Sequence, residues 1–156
     1  MTGKAPEQAI QAIEIVRDIE IAASIDIVFE TVLEQLGPFG EEPDESPMPL
    51  KLEAWPGGRW YRDLGNNTGQ FWGFVQSIVP YHLLEIHGPM FMSSPAISHV
   101  LFRLKEENGV TYIQFSHRAI GQIPPEHIDG VEAIKGWNNF FTKAGNRVRL
   151  KLAKGA

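Results

Sequence analysis

HIDGVEAIKGWNNFFTKAGNRVRLKL, residues 127–152, decides the architecture of this chain. Apolar side chains recur at Val131, Ile134, Trp137, Phe141, Ala144, Val148 and Leu152. Steps of three and four residues keep them on one face, so a long amphipathic helix of about seven turns is expected. Pro124-Pro125 open the element. Lys143, Arg147, Arg149, Lys151 and Lys154 crowd its last part, with no acid after Glu132. Cations there suit the negative end of the helix dipole; a basic docking patch for an acidic partner is the alternative. Gly136 would permit close approach to a sheet, and Trp137 would project into the interior.

The sheet lies upstream. In IEIVRDIEIAA (13–23), Ile13, Ile15, Ile19, Ile21 and Ala23 share one parity, as in a strand with one buried face. Ile27, Val28, Leu33 and Leu36 then follow helical spacing. Ser24 or Asp26 can cap a short helix over 25–36, and Gly37-Pro38 stops it. Strands are expected over 50–55, 59–64, 68–79, 82–87, 98–105 and 110–120, separated by turn signals such as Pro56-Gly57-Gly58 and Asn108-Gly109. Gly69 and Gly73 inside the third of these predict bends or bulges. The order is strand, helix, six strands, long helix: an α+β chain. One helix cannot bury a flat sheet of about seven strands, but a curved antiparallel sheet wrapped on it can be covered, and such a shape leaves room for a cavity. Residues 37–49 (GPFGEEPDESPMP) read as an extended acidic surface loop, with a lid as the less favoured reading. Residues 89–96 form a second loop with an apolar tip at Met90, Phe91 and Met92.

Bulk properties narrow the function. The 156 residues suit one domain spanning 1–156, with 1–12 as a loose arm. A net charge of −5 argues against nucleic acid as a partner. No apolar run is long enough for membrane insertion. No cysteine is present, which removes disulfides and thiolate chemistry and fits a cytoplasmic location. The five histidines, His82, His87, His99, His117 and His127, form no metal-binding motif, and no phosphate-binding or nucleophile-elbow motif occurs. No metal or other cofactor is expected.

Several motifs carry a family resemblance. IEIAASIDIVFETV (19–32) resembles the opening of START-like (SRPBCC) domains. Pro56-Gly57-Gly58-Arg59-Trp60 is similar to their Gly-Gly-Arg-Phe turn, and Trp72-Gly73-Phe74-Val75 followed by Val79-Pro80 to their Gly-x-Val and Pro strand. His117, closing a Thr-x-Ile-x-Phe-x-His strand, and Gly136-Trp137 resemble the branch named for the C-terminal domain of the activator of the heat-shock-protein-90 ATPase. The resemblance covers about residues 13–152. It implies a helix-grip fold with a hydrophobic cavity, and it implies little about activity, because relatives include lipid carriers, cyclases and hormone receptors.

Candidate ligand-binding residues follow. Trp60, Trp72, Phe74, Phe102, Phe115, Trp137 and Phe141 would line an apolar pocket or fill a core, and Phe91 would stand at its mouth. Trp60 and Arg62 share parity, as do Trp72 and Phe74. Arg62, if inward, needs an anion: Glu53, Asp63 or a ligand carboxylate. His117 lies on the parity of Ile113 and Phe115. It would be either a core histidine bonded to backbone or to the long helix, which is favoured, or a ligand-orienting or proton-moving group. The expected function is binding of a small hydrophobic or aromatic molecule. A cyclase- or hydrolase-type enzyme using His117 is the alternative, and a chaperone-interaction module the third. A homodimer stays open.

Overall fold

The computed structural model describes residues 9–42, 44–90 and 93–155. In chain order the elements are β1 (Gln11–Ile21), α1 (Ile25–Leu36), β2 (Lys51–Leu52), β3 (Arg59–Gly65), β4 (Thr68–Val79), β5 (Leu83–Gly88), β6 (Ala96–Glu107), β7 (Val110–Gly121), a short 3₁₀ turn at Pro125–His127, and α2 (Val131–Gly155). The strands form one antiparallel sheet in the order β1-β7-β6-β5-β4-β3-β2. This is the expected α+β arrangement. No helix among the described residues is long and apolar enough to cross a membrane.

The short helix matches its expected span. Ser24 is its N-cap residue in extended conformation, but the Ser24 hydroxyl donates to the Asp26 carboxylate rather than capping a backbone N–H. The hairpin between β6 and β7 turns at Asn108 and Gly109, both at positive φ (53° and 79°), which Asn and Gly tolerate best. Between β1 and β7 the register is continuous from Gln11↔Gly121 to Ile21↔Thr111. The expected arm at 1–12 lies mostly outside the described residues, and its last two residues already pair in β1.

Three expectations are corrected. The strand over 50–55 is only Lys51–Leu52, because the chain turns at Glu53. The Glu53 carboxylate accepts from the Arg59 backbone N–H at 2.8 Å and from its guanidinium at 2.9 Å, closing the Pro56-Gly57-Gly58 turn. Arg59 holds the Glu53 carboxyl down to about 2. The long helix begins at Val131 rather than 127, and both Val131 and Leu152 are exposed. The buried stripe is therefore shorter: Trp137, Phe141, Ala144, Gly145 and Val148. Part of its basic end is engaged within the chain. Lys151 pairs with Glu34 at 2.8 Å and donates to Thr31, both on α1, and the Arg147 guanidinium sits 3.5 Å over the Phe39 ring.

The core lies between the sheet and the two helices. Phe102 and Phe115 are fully buried at its centre, with ring centroids 5.0 Å apart. Trp137 and Phe141 of α2 close over Phe115 at 4.5 and 5.1 Å. Such offset and edge-on arrangements are the favoured geometries for aromatic pairs. α2 rests on this core through Trp137, Phe141, Ala144 and Val148, and it packs on α1. Beside its first turns, around Ala133 and Gly136, lies open space.

Candidate functional site

That space is a cavity of about 740 Å³. Its apolar wall includes Trp60 on β3, Trp72 on β4, Met48, Met90, and Trp137 and Phe140 on α2. The Pro124–His127 turn and loop 37–49 border its mouth.

A β-bulge sets the tryptophan wall. Trp60 pairs with Gly73 and Tyr61 with Phe71, so Trp72 is an extra residue with no partner on β3. An extra residue bends its strand and re-aims the side chains around it. Trp72 turns toward Trp60, ring centroids 5.4 Å apart, and lines the cavity. Phe74 falls on the opposite face. It is 42% exposed and packs on Phe71 at 4.6 Å and on His87 at 6.0 Å, so the shared facing expected of Trp72 and Phe74 does not hold. Close backbone approach supports the bulge. A Cβ on Gly88 would overlap the Gly73 Cα and the Trp72 carbonyl oxygen. Trp60 is anchored from behind, its indole N–H donating to the Leu36 carbonyl at 2.8 Å.

His117 lies on the cavity wall and is 3% exposed. Its Nδ1 accepts from the Trp137 indole N–H at 3.0 Å. The ring proton therefore resides on Nε2, which stands 2.9 Å from the Ser98 hydroxyl. Burial, and then the nearby His99, push its pKa from 6.5 down to about 4, so it is neutral at physiological pH. Both nitrogens are engaged, which is the arrangement of a core histidine tied to the long helix.

Of the expected site residues, the cavity brings together Trp60, Trp72, His117 and Trp137. Phe102, Phe115 and Phe141 form the aromatic floor behind them and do not line it. Arg62 lies at the sheet edge, 3.7 Å from Glu42 in loop 37–49. Neither expected protein partner serves it, since Glu53 binds Arg59 and Asp63 binds Lys51. Phe91 lies outside the described residues. Gly136 also departs from expectation: a Cβ there would meet nothing within 4 Å, so the glycine widens the cavity rather than drawing the helix onto the sheet.

Loop 37–49 is folded over the site rather than solvated along its length. Gly40, Glu41, Glu42 and Met48 line the cavity. Lys143 on α2 pairs with Glu45 at 3.0 Å, and the Asn139 amide donates to Glu41 at 3.4 Å. Gln35 and Phe140 are lining residues the periodicity did not flag. Gln35 had a visible signal, a polar residue on the Val28–Val32 stripe of α1. Phe140 had none, because its neighbour Phe141 carries the periodic position. Among the described residues no cluster of His, Asp and Glu could hold a metal ion.

Solved structures share this fold at low identity. A protein of unknown function from Staphylococcus aureus aligns with a TM-score of 0.65 at 15% identity, over 92% of this chain and 98% of that one. An uncharacterised protein from Rhizobium leguminosarum aligns with a TM-score of 0.63 at 15% identity, over 88% and 97%. CalU16 from Micromonospora echinospora aligns with a TM-score of 0.59 at 20% identity, over 94% and 85%. A search of curated proteins finds no significant relative. Residues 22–144, most of the chain, match the family described as activator of Hsp90 ATPase homolog 1-like protein, and the chain belongs to that family.

Proposed function

We propose that this protein binds a small apolar or aromatic molecule in the cavity between the sheet and the first half of α2. The supporting observation is the cavity itself: about 740 Å³, walled by Trp60, Trp72 and Trp137. That volume lies in the range of small-molecule sites, and indole faces offer large rigid area at little entropic cost. Methionines at 48 and 90 add adaptable surface. An acid–base role for His117 is not favoured, because Trp137 occupies one ring nitrogen and Ser98 the other. His117 acts instead as a strut that fixes the orientation of Trp137.

The test is uptake of N-phenylnaphthylamine, followed by its fluorescence, together with a thermal-shift screen of lipids and aromatic polyketides. Uptake that Gly136→Phe abolishes while the fold persists supports the proposal. The absence of both a fluorescence gain and stabilisation by every compound overturns it.

A further inference from the structure

The polar groups around this cavity are biased toward hydrogen-bond acceptors and negative charge. Glu41, Glu42, Glu126 and Glu132 all line it, and among the described residues no lysine or arginine does. The four carboxylates come from two places: loop 37–49, and the segment running from the 3₁₀ turn into the first turn of α2. Glu42 is partly offset by Arg62, and Glu41 takes a hydrogen bond from Asn139 and feels the nearby Lys143. Glu126 and Glu132 are exposed and have no ion pair among the described residues.

A second observation comes from the wall. Gln35 is 4% exposed and lines the cavity. Its amide nitrogen donates to the Phe39 carbonyl at 3.0 Å, which fixes the orientation of the amide. Its Oε1 is buried without a partner. A buried acceptor left unpaired is costly, and a donor supplied by a ligand would relieve that cost. At the helix start Asp129 accepts the Val131 N–H at 3.0 Å, which satisfies one of the free donors there and adds a further carboxylate. The indole faces of the wall are also electron-rich surfaces that favour a cation.

We infer that the ligand is a cationic amphiphile: an apolar or aromatic body carrying a protonated amine held at the acidic mouth. This rests on the cavity-binding proposal and names its ligand class. Trp72 Nε1 is a buried donor with no partner among the described residues, so a hydroxyl or carbonyl on the apolar body would complete the fit. Carboxylate and phosphate amphiphiles are rejected, since their charge would meet four carboxylates with no cation among the lining residues.

Calorimetric titration with two matched series decides it. One is dodecylamine, dodecanol and dodecanoate, all below their micelle concentrations. The other is naphthylmethylamine, naphthylmethanol and naphthoate. Each amine is expected to bind about tenfold or more tighter than its alcohol, with the acid weakest. In the Glu126→Gln/Glu132→Gln variant that preference should shrink severalfold, while Glu20→Gln/Glu30→Gln, exposed carboxylates elsewhere, should leave it intact. Equal binding within a series, or an acid that binds best, overturns the charge assignment and leaves cavity binding standing. An amine preference that survives the double variant at the mouth also overturns it, because general negative charge then suffices. Failure of all six compounds to bind overturns both.

Discussion

The Trp137 indole N–H donates to His117 Nδ1 across 3.0 Å, joining the long helix to β7, the strand next to the β1 edge of the sheet. The bond fixes three things at once: the tautomer of the histidine, the tilt of the indole over the cavity, and the seating of α2 on Phe115. Trp137→Phe keeps an aromatic ring but leaves a buried acceptor unpaired. Denaturant unfolding should show a loss of about 2 kcal/mol. A change within about 0.5 kcal/mol would mean that packing alone seats the helix.

His117 also makes stability depend on pH in a defined window. Its folded pKa of about 4 lies below its ordinary 6.5, so the unfolded chain binds the proton more readily. The stabilisation is complete above 6.5 and is lost as pH falls from 6.5 toward about 4. The total is on the order of 3 kcal/mol. Asp26, Asp44, Asp63 and Glu85, held below their usual values mainly by hydrogen bonds from Ser24, Ser46, Gly65 and His99, lose their contributions at lower pH. Unfolding followed at stepped pH should show this slope in the native chain and a flatter profile in His117→Gln. A histidine NMR titration that finds His117 near its ordinary value would refute the assignment.

Gly136 separates the demands of the helix from those of the cavity. Gly136→Ala should raise stability by about 0.5–1 kcal/mol, because alanine is the better helix residue and its Cβ meets open space. Gly136→Phe should leave the melting temperature nearly unchanged while displacing N-phenylnaphthylamine. Destabilisation by the alanine would show that the helix does need to approach the sheet here.

The bulge at Trp72 depends on Gly88. Gly88→Ala forces a methyl group into the β4 backbone at Gly73 and Trp72. A loss of about 2–3 kcal/mol is expected, together with a shifted tryptophan emission as the Trp72 wall moves. The matched change Gly57→Ala, where the added atom meets nothing but φ is +83°, should cost about 1 kcal/mol from backbone strain without the spectral change.

Much of the architecture was legible because it rests on periodicity. Alternation at Ile13 and Ile15, helical spacing from Val28 to Leu36, and the Asn108-Gly109 turn each follow from local side-chain geometry, and the elements formed there. The candidate site was legible only in part. Trp60 and His117 sit where strand alternation places them, and Trp137 where helical spacing does. Phe74 does not, because one unpaired residue at Trp72 inverts the facing that alternation assigns. The partner of Arg62 was hidden for another reason: Glu42 lies in a loop whose path no periodic signal encodes.

The sequence by itself determined which segments are strands and helices, and that a long aromatic helix presents one face to an antiparallel sheet. Those properties depend on neighbours within a few residues. Tertiary structure alone decided that loop 37–49 closes over the cavity, that four carboxylates gather at its mouth, and that Gly136 leaves space rather than filling it. Each of these arises from residues far apart in the chain, brought together by packing and bulges that no local pattern specifies. Trp137, on the covering helix, belongs to both: periodicity turned it inward, and the hydrogen bond to His117 decided where it points.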